Sequence, residues 1–166
     1  MANPYVNIIG KKYPGIWVST QGDNYSDLIV EYGSLPLPDQ ATLDAAIIKD
    51  CNDTMIGLIT AERYRRTSTG GYIVAGKWFN SDDSSRIQQL GLVMMGANMP
   101  SGIMWKTMDG SFISMTPTLA GQIFQAAAAS DMTLFAISQS KISAMLASAT
   151  PSTYDYLSGW PKIYGE

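Results

Sequence analysis

The chain has 166 residues, of which 46% are hydrophobic and only 15% are charged, and a net charge of −3; an average soluble domain carries roughly 25% charged residues. It has no histidine and one cysteine, Cys51. This excludes Ser-His-Asp and Cys-His catalysis, histidine metal ligation, an intrachain disulfide and a cysteine-cluster zinc site. The acidic balance speaks against a broad nucleic-acid-binding face, and the length suits one domain with room for a small second module.

The opening MANPYVNIIGKKYPG lacks the basic start and long apolar run of a secretory signal. Residues 1–38 read as a β and turn segment. Ile16-Trp-Val-Ser19 and Leu28-Ile-Val-Glu-Tyr32 are its strand candidates, with Gly22-Asp-Asn24 as a turn between them. Tyr5-Val-Asn-Ile-Ile9 is short and mixed in character. Pro36 and Pro38 close the segment.

Asp39 then caps an amphipathic helix of about 26 residues, with Leu43, Ile47, Cys51, Met55, Leu58 and Glu62 at spacings of three and four. It ends near Arg65-Arg66, where cations suit the helix dipole, and Cys51 falls on its apolar, buried side. Tyr72-Ile-Val-Ala-Gly-Lys-Trp-Phe79 reads as a hairpin turning at Ala75-Gly76. Ser81 or Asp82 caps a second helix, whose buried side is marked by Ile87, Leu90, Val93 and Met94. Ile103–Lys106 and Ser111–Met115 form a second hairpin around Met108-Asp-Gly110. Trp78, Phe79, Trp105 and Phe112 are expected to pack between helices.

Thr116-Pro117 supplies an N-cap and a proline at the first position of a third helix, running to about residue 148. Asp131 and Lys141 are its only charges. A helix this poor in charge is expected to be buried on several sides. The charge-free stretch between Asp109 and Asp131 is interrupted by the Thr116-Pro117 helix start and followed by Gln122, Gln125 and Ser130. It therefore reads as buried in protein, not as membrane-inserted. Residues 149–166 form a tail carrying Tyr154, Tyr156, Trp160 and Tyr164 among Pro151, Gly159 and Pro161. The fold class is thus α+β: three helices, two of them long, separated by two short β-hairpins, behind a small N-terminal β segment. The domain order is 1–38, 39–148 and 149–166.

Candidate chemistry is sparse. Asp82, Asp83 and Asp109 are the nearest approach to a carboxylate cluster, but Asp82 is placed to cap a helix and Asp109 to make a turn. Gly70-Gly71 and Gly76 lack the Gly-Lys-Ser/Thr of a phosphate loop. No nucleophile–base pair or metal cluster is present, so neither catalysis nor a cofactor is implied. Arg63, Arg65 and Arg66 form the one basic cluster, suited to dipole compensation, to ion pairs (Arg86 with Glu62 among them) or to an acidic partner. Trp17, Trp78, Trp105 and Trp160 with nine tyrosines leave carbohydrate stacking open. The tail aromatics Tyr154, Tyr156, Trp160 and Tyr164 are the first choice for partner contact, with Arg63, Arg65 and Arg66 next.

One set of motifs goes further. Ala61-Glu-Arg-Tyr-Arg-Arg66, Gly71-Tyr-Ile-Val-Ala-Gly-Lys-Trp-Phe-Asn-Ser-Asp-Asp-Ser-Ser-Arg86 and Trp105-Lys-Thr-Met-Asp-Gly-Ser-Phe-Ile-Ser-Met-Thr116 follow one another in order. Over roughly residues 55–148 the chain resembles a phage-encoded domain of unknown function carried by tail, tail-fibre and tail-fibre-assembly proteins of tailed bacteriophages. The resemblance supplies no catalytic residues. It implies a structural component of the virion tail or baseplate, made in the host bacterial cytoplasm, that joins or carries a fibre through contacts with other tail or fibre proteins. A homo-oligomer or stable hetero-complex is expected because the helix from Pro117 to Ser148 is too poor in charge to face water, and the resemblance makes a trimer the first expectation. The alternatives are a tail-fibre assembly chaperone absent from the mature virion and a receptor-binding tip that stacks glycans on its aromatic rings.

Overall fold

The computed structural model describes residues 3–33 and 35–166. Among them the chain is α+β, with four α-helices and three two-stranded antiparallel sheets. Two compact units are present: Met1–Ile56 with Ala149–Thr153, and Gly57–Ser148 with Tyr154–Glu166.

The first unit contains α1 (Pro4–Lys12), β1 (Ile16–Thr20), β2 (Leu28–Gly33) and the start of α2 (Gln40–Thr69). Residues 4–12 are helical where β and turn structure was expected. The cause is local: the Asn3 side chain accepts hydrogen bonds from the backbone N–H groups of Tyr5 and Val6, at 2.8 and 3.3 Å, and Pro4 occupies the first turn. The helix buries Ile8 and Ile9 with Ile16 and Leu43. The Tyr5 hydroxyl donates to Asp44 at 2.7 Å.

β1 and β2 pair from Ile16–Gly33 to Thr20–Leu28, with an irregularity after Trp17. Alternation turns Ile16 and Val18 toward the core and Trp17 outward. Asp39 caps α2 as expected, accepting from Thr42 N at 2.7 Å. The helix continues past Arg66 to Thr69, and the Ser68 and Thr69 hydroxyls donate back to Tyr64 O and Arg65 O.

The second unit holds the end of α2, β3 (Tyr72–Val74), β4 (Lys77–Phe79), α3 (Asp83–Met95), β5 (Met104–Lys106), β6 (Phe112–Ser114) and α4 (Pro117–Leu146). Its core is Tyr72, Phe79, Leu92, Met115, Leu119, Ala120, Ile123 and Ala127. Of the four hairpin aromatics expected inside, Phe79 is fully buried, Trp78 and Trp105 are half-buried, and Phe112 is 61% exposed. Cross-strand register decides this. Trp105 pairs with Ile113 on the inner side, which sends Phe112 and its partner Lys106 to the other face.

α3 also departs from its hydrophobic pattern. Its buried residues are Ser85, Gln89 and Leu92, while Ile87, Leu90 and Met94 are exposed and Val93 packs partly against the core. Gln89 holds the inward position because its polar groups are satisfied there. Tyr72 Oη donates to its Oε1, and its Nε2 donates to Asn80 O at 3.0 Å. α4 likewise is not enclosed all round. It buries one stripe (Leu119, Ile123, Ala127, Leu134, Ser138 and Met145 among its members) and leaves Phe124, Met132, Phe135 and Leu146 exposed. Cys51 is half-buried, not enclosed. No described helix is long and apolar enough to cross a membrane.

Two features of these hairpins and caps carry measurable consequences. The β3–β4 turn places both Ala75 and Gly76 at positive φ, +50° and +74°, as a two-residue mirror-image turn demands. A non-glycine residue resists this conformation by about 1–2 kcal/mol, and asparagine resists it less. Ala75→Asn is therefore expected to stabilise the fold by about 0.5–1 kcal/mol in urea or thermal melts.

Asp82 caps α3. Hydrogen bonds from Ser84 first, then from the backbone and hydroxyl of Ser85, pull its carboxyl pKa down to about 2. A carboxyl with a lowered folded-state pKa stabilises the fold above its unfolded value near 3.8, and loses that contribution as pH falls toward 2. Asp82→Ala should cost about 1 kcal/mol at pH 7. Its melting-temperature deficit should shrink steadily between pH 4 and pH 2.

Candidate functional site

Arg63, Arg65 and Arg66 leave the last turns of α2 in three directions. Arg66 is buried, 6% exposed, beside a Glu62 that is 7% exposed. Its Nε donates to Glu62 Oε1 at 2.7 Å, and its Nη1 donates to Pro161 O at 2.7 Å. Arg66 also contacts Glu166, with its Nη2 donating to Oε1 at 3.2 Å. Arg65 grips the same Glu62 in a two-pronged pair, at 2.7 and 2.8 Å. Hydrogen bonds from Arg65 first and then from Arg66 hold the Glu62 carboxyl below the usual carboxylate range, against the burial that opposes its charge. Two of the three arginines are thus engaged within the domain.

The aromatic tail joins the same network. Trp160 is half-buried, donates its indole N–H to Tyr156 O at 2.8 Å, and has Arg66 and Lys141 over its ring at 5.8 and 5.5 Å. Tyr164 N donates to Gly70 O at 2.9 Å, and its ring meets Trp78 edge-on at 6.1 Å. Tyr154 and Tyr156 are half-buried, and Tyr164 is 39% exposed. Gly70 lets this segment approach: a β-carbon there would sit 2.6 Å from Ile163 Cγ2 and 2.4 Å from Arg66 O. Residues 154–166 therefore lie along their own domain.

Arg86 pairs with Asp131, not with Glu62. Nη1 and Nη2 donate to its two carboxylate oxygens at 2.7 and 2.9 Å. Nε and Nη2 also donate to Ser81 O and Thr67 O. Asp109 organises the β5–β6 turn, accepting from Ser111 N at 2.9 Å and from Lys77 Nζ at 2.8 Å. Lys77 first, then Thr107 and Ser111, hold its carboxyl far below the ordinary range. Asp82 and Asp109 are thus engaged in a cap and a turn. Among the described residues no group of three His, Cys, Asp or Glu is placed to hold a metal ion.

With those groups engaged, one opening stands out. Arg63, Tyr64, Thr67, Asp131, Met132 and Phe135 line a shallow groove of about 460 Å³ between α2 and α4. Tyr64, Met132 and Phe135 are 61%, 68% and 54% exposed. The Arg63 guanidinium carbon lies 4.7 Å from the Tyr64 ring centre and 5.5 Å from that of Phe135. Among the described residues it is the one arginine of four without a carboxylate partner.

An exposed row runs along α4 through the groove residues Met132 and Phe135. Gln125, Ala128, Met132, Phe135, Gln139, Ile142 and Leu146 succeed one another at alternating spacings of three and four, all exposed except the half-buried Ile142. That spacing is the seam of a helix that packs against another helix. The two charges of α4 do not interrupt it, because Asp131 is held by Arg86 and Lys141 donates to Ser158 O. Sequence reasoning registered the missing charge and missed Tyr64, Met132 and Phe135. The three–four spacing within a nearly uncharged helix was the signal that could have found them.

Fold and groove together define a helix-and-hairpin α+β domain with an exposed, largely apolar groove whose charged lining is Arg63 and Asp131. The chain belongs to the family described as a domain of unknown function, DUF4376, whose model matches residues 51–158. No curated protein matches the chain, and no solved structure does.

Arg66→Met leaves Glu62 its two hydrogen bonds from Arg65 but removes the Arg66 donors to Pro161 O and Glu166. The loss of these hydrogen bonds should destabilise the fold by about 1–3 kcal/mol, measured by urea melts. The same change should expose the tail to limited proteolysis after Lys162, because Pro161 O and Glu166 lose their donor.

Proposed function

We propose that the chain is a structural component of a tailed-bacteriophage tail or baseplate, joining or carrying a fibre through protein–protein contacts and catalysing no reaction. The observation that carries this reading is the outer face of α4: a seam of Gln125, Ala128, Met132, Phe135, Gln139 and Leu146, exposed and uncharged. Large exposed apolar patches mark interaction surfaces. Both charges of α4 are taken up by its own domain, which leaves this seam free for another polypeptide. The phage assignment rests on the motif resemblance over roughly residues 55–148, and the groove at Arg63 adds a cationic contact point at the edge of the seam. In this reading the protein works as an oligomer, with other tail or fibre proteins as its partners.

The test is a mass-spectrometric inventory of purified phage particles from a lysate in which this chain is expressed. Its recovery at a fixed ratio to the major tail proteins is the expected result. Presence in the lysate with absence from the particle would replace the structural reading with that of a fibre-assembly chaperone.

A further inference from the structure

The unpaired cation in the α2–α4 groove has a counterpart elsewhere in the chain. On the β1–β2 hairpin, Trp17 and Tyr32 stack across the strands, with ring centres 5.4 Å apart and planes at 19°. They are 58% and 63% exposed. Glu31 stands next to Tyr32, exposed, and accepts a hydrogen bond from Ser19 Oγ. No Lys or Arg pairs with it among the described residues. The hairpin thus presents an anion beside two open rings, and the groove presents a cation, Arg63, beside two open rings, Tyr64 and Phe135.

We propose that these are the two halves of one self-association contact: the Trp17–Tyr32 hairpin of one copy docks in the Arg63 groove of a second copy, with Glu31 against Arg63. The proposal builds on the reading of this face as an assembly surface, and is independent of where the assembly resides.

Two observations select a second copy as the occupant. The charges are complementary in sign, and each lies in an aromatic setting where a partner would displace water and strengthen the pair. Both halves also occur in the same polypeptide, so every copy carries a donor and an acceptor. Such a contact uses two different patches and is heterologous, so repeating it closes a ring or extends a filament.

The four rings alone expose on the order of 400 Å², and Met132 and Ile29 add to that. That area lies below the roughly 1,200 Å² of standard specific interfaces, so a single contact is weak and transient. Association in the micromolar range, weakened by salt, follows.

Full-length wild type, Glu31→Arg, Arg63→Glu and the double variant are compared by sedimentation velocity between 1 and 100 μM, at low and high salt. Circular dichroism melts confirm that each is folded. Wild type should self-associate, more weakly in high salt. Each single reversal should raise the dissociation constant at least tenfold, and the double variant should return it to within about threefold of wild type. The two single variants, each unassociated alone, should also associate when mixed, because each supplies the partner the other needs. That measurement stands even if the double variant folds poorly.

A wild type that is monomeric at 100 μM would overturn the proposal. So would single reversals that leave association intact, or folded single variants that fail to rescue each other on mixing. Saturable binding of oligosaccharides to a monomeric chain, abolished by Trp17→Ala, would reassign the hairpin to sugar recognition.

Discussion

The guanidinium of Arg86 holds the second unit together. Its rigid plane of donors makes four hydrogen bonds, to the two carboxylate oxygens of Asp131, the carbonyl of Ser81 and the carbonyl of Thr67. One side chain therefore ties the end of α2, the approach to α3 and the middle of α4. Lysine, with a single point charge, could not satisfy so many acceptors in one plane. The clamp has an outward consequence as well: it turns Asp131, one of the two charges on a 30-residue helix, into a structural group. The exposed side of α4 is left neutral because the domain's own architecture takes up its charges.

The same economy operates at the end of α2. Glu62 sits where a carboxylate is costly to bury, and two adjacent arginines meet it from the same helix, three and four residues on. Arg66 then reaches Pro161 O and Glu166, so that residues 154–166 close over the helix end. A cluster of three arginines reads in sequence as one basic patch. In space it divides by burial and by reach: two members are structural, and the third, Arg63, lies between rings at the mouth of a groove. What the cluster leaves exposed is accordingly one cation, Arg63, in a largely apolar groove.

How much of this was legible depended on range along the chain. The strands at 16–20 and 28–33, the hairpin at 72–79 and the caps at Asp39, Asp82 and Thr116 all rest on signals spanning a few residues. The signal at Asn3-Pro4 has the same form as that at Thr116-Pro117, a capping side chain followed by a first-turn proline, and reading it alike would have yielded the first helix. The face of α3 was misread because periodicity ranks residues by hydrophobicity alone. Gln89 outranks Leu90 once Tyr72 and Asn80, nine and more residues away, satisfy its amide. Phe112 was misplaced for a similar reason, since pairing register across the hairpin, not composition, chose between it and Ile113.

Local stereochemistry and charge count by themselves determined the α+β class, the order of the elements from the first strand onward, the lack of histidine chemistry and the neutrality of the last helix. These follow from which backbone conformations and ionisations the residues permit, whatever they later touch. Tertiary structure alone decided which charges are spent and which remain. The choice of Asp131 over Glu62 for Arg86, the folding of the aromatic tail onto its own domain and the release of Arg63 all depend on groups brought together from distant positions. Electrostatic pairing and desolvation act through space, and a linear pattern records neither the distance between two charges nor the water between them.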